Sequence, residues 1–276
     1  MRKLLRANFA RMWKGRLVWI GVIAYAVIGA LVAIDNHKWM AQGEAVYAET
    51  LISGFALMTA FAVPVFCALF VGTEYADGTM RNKLIVGCSR GAIYISNFAC
   101  CCAASLVFAA AYLIPCALLG WLLLSGFNAG ILAIAGMLFN GALALVALNA
   151  IFCCVAMLIR SRSVSAVVAL LALFGMLMVS ASVQNSLRAP EFYDDFVLTA
   201  NGTVERVDQV PNPGYLRGAK REIYQFVSDF LPTGQALQVA NLEQTKPSWQ
   251  LNLYALAIVA GCTAAGMAAY HRKDIQ

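Results

Sequence analysis

The residues with which this chain could do covalent or metal chemistry are nine cysteines and two histidines, and their placement argues against both uses. Cys67, Cys100, Cys101, Cys102, Cys116, Cys153, Cys154 and Cys262 lie in long apolar stretches, and Cys88 lies in a short connecting loop. None falls in the longest polar loop, where a disulfide framework would put them, so they read as small apolar packing residues. His37 and His271 stand outside the apolar stretches. A histidine-based metal site within those stretches is thereby excluded, and cysteines alone would make an unusual zinc site. There is no Gly-x-x-x-x-Gly-Lys-Ser/Thr phosphate loop, so the chain is not expected to bind ATP by that route. The reading therefore has no catalytic, cofactor-binding or metal residue, and interest moves to the pieces that position and connect.

Hydrophobic residues make up 61% and charged residues 12% of the chain, and the mean hydropathy is +0.72. Soluble domains are about half apolar and about a quarter charged. Six stretches carry no charged residue or histidine over most of their length, about 17–34, 51–72, 94–124, 131–159, 164–183 and 250–270. A helix needs about 20 residues to cross a ~30 Å hydrocarbon core. The fold class is therefore an all-α membrane protein with six transmembrane helices in a single domain over 1–276. No ionisable residue stands in mid-span, which disfavours proton- or sodium-coupled carriers. Residues 1–16 followed by 17–34 look like the start of a signal peptide, but both parts are too long, and a retained first span is expected. Pro64 and Pro115 are expected to kink the second and third spans. Asn140 and Asn149 are expected to bond across helices, and Ala257, Gly261 and Ala265 to form a packing face.

The net charge of +6 gathers at span ends, which favours membrane orientation over nucleic acid as its explanation. Arg2, Lys3, Arg6, Arg11, Lys14 and Arg16 precede the first span. Arg81, Lys83 and Arg90 follow the second, Arg160 and Arg162 the fourth, and His271-Arg272-Lys273 the last. The loop with Asp35, Glu44 and Glu49 against Lys38, the uncharged turn 125–130 and the acidic loop 184–249 alternate with them. By the positive-inside rule both termini are cytoplasmic.

Four connecting pieces have patterns of their own. In 1–16, Leu5, Phe9, Met12 and Trp13 share one helical face, with Lys3, Arg6, Arg11 and Lys14 opposite. The segment reads as an amphipathic helix in the headgroup layer, or as a plain basic anchor. Between the second and third spans runs Gly72-Thr73-Glu74-Tyr75-Ala76-Asp77-Gly78-Thr79-Met80-Arg81-Asn82-Lys83-Leu84-Ile85-Val86-Gly87-Cys88-Ser89-Arg90. Asp77-Gly78 signals a turn, Thr79 suits a helix cap, Gly87 a left-handed stop and Ser89 the cap of the next span. The result is a short helix along the membrane, with Met80, Leu84 and Ile85 as its apolar face and Arg81 and Lys83 as cations. It either docks in a groove on a soluble partner or simply turns the chain. In the outer loop the first part, to about Arg221, shows no firm period, while Ile223, Phe226, Val227, Phe230 and Leu231 follow helical spacing. Pro232-Thr233-Gly234 then breaks that helix, and Gln235–Leu242 reads as a second. Asn201-Gly202-Thr203 matches a glycosylation tripeptide, too common a pattern to argue from.

The stretch Glu74-Tyr75-x-x-Gly78-Thr79-x-Arg81-x-Lys83 resembles the first cytoplasmic loop of type-2 ATP-binding-cassette (ABC) permeases, nearest the branch of bacitracin-resistance and lantibiotic-immunity permeases. The six-span layout, basic start, long last outer loop and basic tail are similar to the same family. The resemblance implies that 78–86 is the coupling helix against separate ABC ATPase subunits, which hold ATP and magnesium, and that Glu74 orients it. It implies a minor ATPase contact at Arg160-Ser161-Arg162-Ser163, otherwise a plain stop for two helices, and an outer helix pair, with Phe226, Phe230, Pro232 and Gly234, that roofs an exit path or else rests on the outer rim of the bundle. It further implies a second permease copy or paralogue, and export of an amphiphile, peptide or drug across a bacterial cell membrane, antimicrobial-peptide resistance being one such role. An ATP-independent channel or carrier, and a membrane anchor for a signalling complex, are the competing readings.

Overall fold

A computed structural model describes residues 1–40, 46–198, 204–242 and 249–273. Asn201-Gly202-Thr203, Glu44 and Asp274, with parts of the loop 184–249, lie outside the described residues. Six helical segments are long and apolar enough to cross a membrane, at Arg16–Met40, Ala48–Ala76, Arg90–Leu123, Ile131–Leu158, Arg162–Arg188 and Trp249–Arg272. The expected all-α membrane fold is what forms.

A separate first helix, α1 (Arg2–Lys14), precedes the first span, α2 (Arg16–Met40). The second span is built from three short helices, α3 (Ala48–Ser53), α4 (Phe55–Ala60) and α5 (Ala62–Ala76). It is followed by a short helix, α6 (Thr79–Ile85), and by the third and fourth spans, α7 (Arg90–Leu123) and α8 (Ile131–Leu158). The fifth span is α9 (Arg162–Arg188). Then come strands β1 (Phe192–Leu198) and β2 (Val204–Pro211), helices α10 (Gly218–Phe230) and α11 (Pro232–Ala240), and the last span, α12 (Trp249–Arg272).

In the bundle α2 lies along α7, α8 lies along α12, and α5 runs between α8 and α9. Lipid tails are as apolar as leucine, so burial alone does not draw these helices together; close approach and polar contacts do. The buried residues of α8 include the small Gly141, Ala144, Ala147 and Ala150 between larger ones such as Leu145, Leu148 and Phe152. Asn149 donates to Ser105 Oγ across to α7 at 2.7 Å, as its type and depth predict. The nine cysteines are free, and two act as weak donors within the bundle: Cys67 bonds Asn149 Oδ1 at 3.6 Å and Cys116 bonds the Gly29 carbonyl at 3.4 Å.

The second span is interrupted where its three pieces meet, at Gly54 and Phe61, the second just before Pro64. Side chains of neighbouring helices reach carbonyls beside the interruptions. Tyr25 of α2 donates to the Met58 carbonyl at 3.0 Å, and Tyr112 of α7 to that of Leu51 at 3.1 Å. Pro115, by contrast, sits inside an unbroken α7. Glu49, read from the sequence as one more loop acid, is buried at the start of this span. Its carboxylate accepts from the backbone N–H of Asn128 at 3.2 Å and of Ala129 at 3.0 Å. That ties the 125–130 turn to the second span.

Three further sequence expectations are corrected. The first part of the loop 184–249 is not featureless but an antiparallel hairpin, with Phe192 paired to Pro211 and Tyr193 to Val210. The first span extends to Met40, a turn and more past the predicted end, because Asn36 bonds back to the Val32 carbonyl and His37 Nδ1 lies 2.9 Å from that of Leu123. The small residues Ala257, Gly261 and Ala265 stay exposed on α12, whose packing face is Ala255, Ile258, Gly266 and Tyr270. Gly266 is the position where a side chain would strike the Tyr94 ring.

Glu49→Ala removes the acceptor for two backbone amides and is expected to cost about 1–3 kcal/mol, read as a lowered melting temperature in detergent. Glu49→Gln, which keeps one acceptor oxygen, is expected to cost less. An unchanged melting temperature for Glu49→Ala would remove this tie from the account.

Candidate functional site

The site is the end of the bundle that carries the N-terminus, α6, the turn at 160–162 and residues 271–273. At its centre is one carboxylate. Glu74 stands on the last turn of α5, 1% exposed. A carboxylate removed from water must be compensated by opposite charge and hydrogen bonds. Three side chains from three other helices provide this. Arg11 of α1 places Nη2 2.8 Å from Glu74 Oε1. Lys83 of α6 donates to the same oxygen. Asn97 of α7 donates to Oε2 at 2.9 Å.

Asn8 of α1 closes the network. It accepts from Lys83 Nζ at 2.8 Å and donates to Ser96 Oγ at 2.9 Å and Asn97 Oδ1 at 3.0 Å. Arg11 also stacks over the Phe70 ring, 4.0 Å from its centroid, a cation–π contact that helps hold a guanidinium beside apolar helices. Burial pushes the Lys83 ammonium pKa down, and the neighbouring Glu74 pulls it the other way. One carboxylate thus joins α1, α5, α6 and α7.

This network changes the expected roles on two helices. On α1 the buried residues are Asn8 and Met12, with Leu4 and Phe9 packed partly against the bundle, Leu5 half-buried and Trp13 exposed. Arg11, expected on the solvent side, turns inward to Glu74, because pairing with a buried acid outweighs the hydration that a wheel assigns to arginine. On α6, Met80 is 1% exposed, with the Tyr270 hydroxyl of α12 donating to its Sδ at 3.6 Å. Leu84 packs against the core and Lys83 is bound to Glu74. The face turned away from the bundle is Arg81, Asn82, Ile85 and Val86, with Ile85 72% and Val86 82% exposed.

The local signals for α6 mostly form as their chemistry suggests. Gly78 adopts φ 64°, the left-handed turn that glycine tolerates, and Gly87 ends the segment at φ 90°. Ser89 caps α7 by accepting from the Ala92 N–H at 3.3 Å. Thr79 does not cap α6 but donates to the Glu74 carbonyl at 3.1 Å, another tie between α5 and α6. At the fourth-to-fifth span turn, Ser161 caps α9 through the Val164 N–H at 3.4 Å, and Arg160 and Arg162 are exposed. The basic tail is seated too. Arg90 bonds the carbonyls of Tyr270, at 2.9 Å, and Lys273. Lys273 Nζ donates to the Tyr75 hydroxyl at 3.1 Å and the Met157 carbonyl at 3.0 Å, and burial pushes its pKa down to about 8.

At the opposite end α10 and α11 form the second candidate region. Pro232 is the first residue of α11, where its missing N–H costs nothing. Gly234 lets α11 pass against the Ser228 carbonyl, a space that a side chain would fill. Thr233, Gly234, Gln235 and Gln238 are buried, so α11 sits within the bundle end. Thr233 and Ser180 share a hydrogen bond at 2.7 Å, Gln184 donates to the Gly234 carbonyl at 3.3 Å, and Ser53 donates to that of Ala240 at 3.0 Å. Phe226 and Phe230 stack at 5.5 Å and meet Tyr254 of α12 edge-on. They are partly exposed on the rim, apart from the inserted α11.

A family model described as "ABC-2 family transporter protein" matches residues 4–177, from α1 into α9 and including the whole Glu74 network. That is more than half of the chain, and the chain belongs to the ABC-2 transporter family. It is thus a multi-pass permease component of an ABC transporter, a transport subunit and not itself the catalytic one, in a family that works with ABC ATPases. No curated protein matches the sequence.

Glu74→Gln leaves Arg11 and Lys83 close together and uncompensated, and is expected to destabilise the chain by about 3 kcal/mol. Adding Lys83→Met to Glu74→Gln should recover part of that loss. Thermal unfolding of the parent, the Glu74→Gln and Lys83→Met single variants and the double variant in detergent checks it; additive losses in the double variant would contradict the network.

Proposed function

We propose that this chain is the permease half of an exporter driven by ATP hydrolysis on a separate ABC ATPase, with α6 as the coupling helix. The observation that carries the reading is the two-sidedness of α6. Its inner face, through Lys83, Met80 and Thr79, is fastened to the second span, α1 and α12. Its outer face offers Ile85 and Val86 beside Arg81. An apolar pair flanked by a cation suits a groove on a soluble partner, and a firmly held inner face suits transmission of force.

In this reading both termini, α6 and the 160–162 turn lie in the cytoplasm of a bacterial cell, as the basic segments favour. Arg160 and Arg162 supply a minor ATPase contact. ATP and magnesium are held by the partner. Six spans rarely enclose a path alone, so a second permease copy or paralogue completes it. ATP-driven closure of the ATPases displaces α6, the second span follows, and α11 moves at the outer end, where it acts as the roof of the exit. The substrate is an amphiphile, peptide or drug that reaches the path from the membrane, which fits an immunity or efflux role.

Ile85→Asp with Val86→Asp tests the docking face without touching the Glu74 network. The melting temperature of the chain alone is expected to stay unchanged, while recovery of the ATPase in a mild-detergent pull-down from the native host falls about tenfold or more. Equal recovery with the doubly substituted chain would overturn the assignment of this face.

A further inference from the structure

Where α1 turns into α2, the bundle leaves a half-open pocket of about 370 Å³. This is within the size range of small-molecule sites. Its floor is apolar, with Met12, Val18, Phe66 and Phe70 all buried. Its rim carries three arginines from three helices, Arg11 of α1, Arg16 at the start of α2 and Arg162 at the start of α9. Asp77 is the single acid of the lining. Glu74, behind Arg11, already has Arg11 and Lys83 as partners.

Two features of the rim call for a ligand. The guanidiniums of Arg16 and Arg162 have no hydrogen bond or ion pair among the described residues. Arg11 Nε is buried and has no hydrogen-bond partner there either, and buried donors are ordinarily satisfied. Arg16 and Arg162 are the first residues of two spans, so they sit where hydrocarbon gives way to headgroups. Of the floor, Phe66 and Phe70 lie more than one turn inside the end of the second span, at the level of acyl chains. Cations above an apolar floor match a molecule with an anionic head and an apolar tail, and guanidinium forks match phosphate oxygens in particular.

We propose that this pocket binds the phosphate head of an anionic amphiphile, between Arg16 and Arg162, with the start of its tail on the Phe66–Phe70 floor. A free phosphate would satisfy the arginines but leave the floor unused. The site is separate from the outward face of α6 but shares Arg162 with the minor ATPase contact proposed above, so the chain is tested without the ATPase.

The test is native mass spectrometry of the full chain in detergent with equimolar phosphatidylglycerol and phosphatidylcholine. One phosphatidylglycerol per chain is expected to survive delipidation that removes phosphatidylcholine, and millimolar inorganic phosphate should not displace it. Arg16→Gln with Arg162→Gln should lower its retention about tenfold, to the level of phosphatidylcholine. Arg2→Gln with Lys3→Gln, which removes the same charge outside the pocket, should leave retention unchanged. Arg16→Gln alone, at an exposed and unpaired position, should weaken retention without altering thermal unfolding. Equal retention of the two lipids, equal loss in the pocket and control variants, or displacement by phosphate would each overturn the proposal.

Discussion

The arrangement of the terminal end depends on burying one carboxylate. Glu74 cannot stay charged among apolar helices without partners, and its partners come from helices that would otherwise have little reason to meet. Arg11 draws α1 onto the bundle. Lys83 seats α6 with its apolar residues Met80 and Leu84 facing inward. Asn97 and Ser96, bridged by Asn8, bring in the end of α7. Once Glu74 is fixed, the face that α6 leaves free is fixed as well. An ion pair of this kind adds little stability over well-packed apolar residues, so its use here is to set position.

The second span links this end to the other. Its pieces run from Glu49, which clamps the 125–130 turn, to Glu74, and between them the helix is interrupted at Gly54 and Phe61. Tyrosines of α2 and α7 donate to the Met58 and Leu51 carbonyls beside the interruptions. Ser53, beside one interruption, bonds α11 directly. In the proposed exporter this gives a displacement at α6 one continuous physical route, through α5 and α4, to the inserted helix at the far end. Tyr25, Tyr112 and Asn149 along the way make polar contacts that hold helices together where apolar burial cannot.

Much of the frame was legible in the residues. The absence of charge located six spans, and the Asp77-Gly78, Gly87 and Ser89 signals located α6, because turn and cap chemistry is local. Pro232 marked the boundary of α10 and α11 for the same reason. The facing of the helices was not legible. In a membrane an apolar side chain is equally at home against lipid or protein, so the wheel of α1 could not say that Arg11 turns inward, nor that Met80 and Leu84 serve the bundle and leave Ile85 and Val86 outside. Those choices follow from Glu74, seen only when four distant segments meet. Glu49 was hidden likewise, since its partners are backbone amides nearly eighty residues away. The hairpin at 192–211 was missed because its alternation is interrupted by Asp194-Asp195 and a register irregularity between Tyr193 and Asp195.

The central claim is that α6, α1 and the inner end of the second span move as one body around Glu74. The direct test is a pair of spin-label distances in the permease–ATPase complex, with labels carried by genetically encoded residues so that the cysteines stay in place. One pair joins Ala10 of α1 to Asn82 of α6, and the other joins Asn82 to Phe127 at the opposite end. Between nucleotide-free and ATP-trapped states the first distance should hold while the second changes. A first distance that shifts as much as the second would show that α6 moves on its own, and would contradict the account.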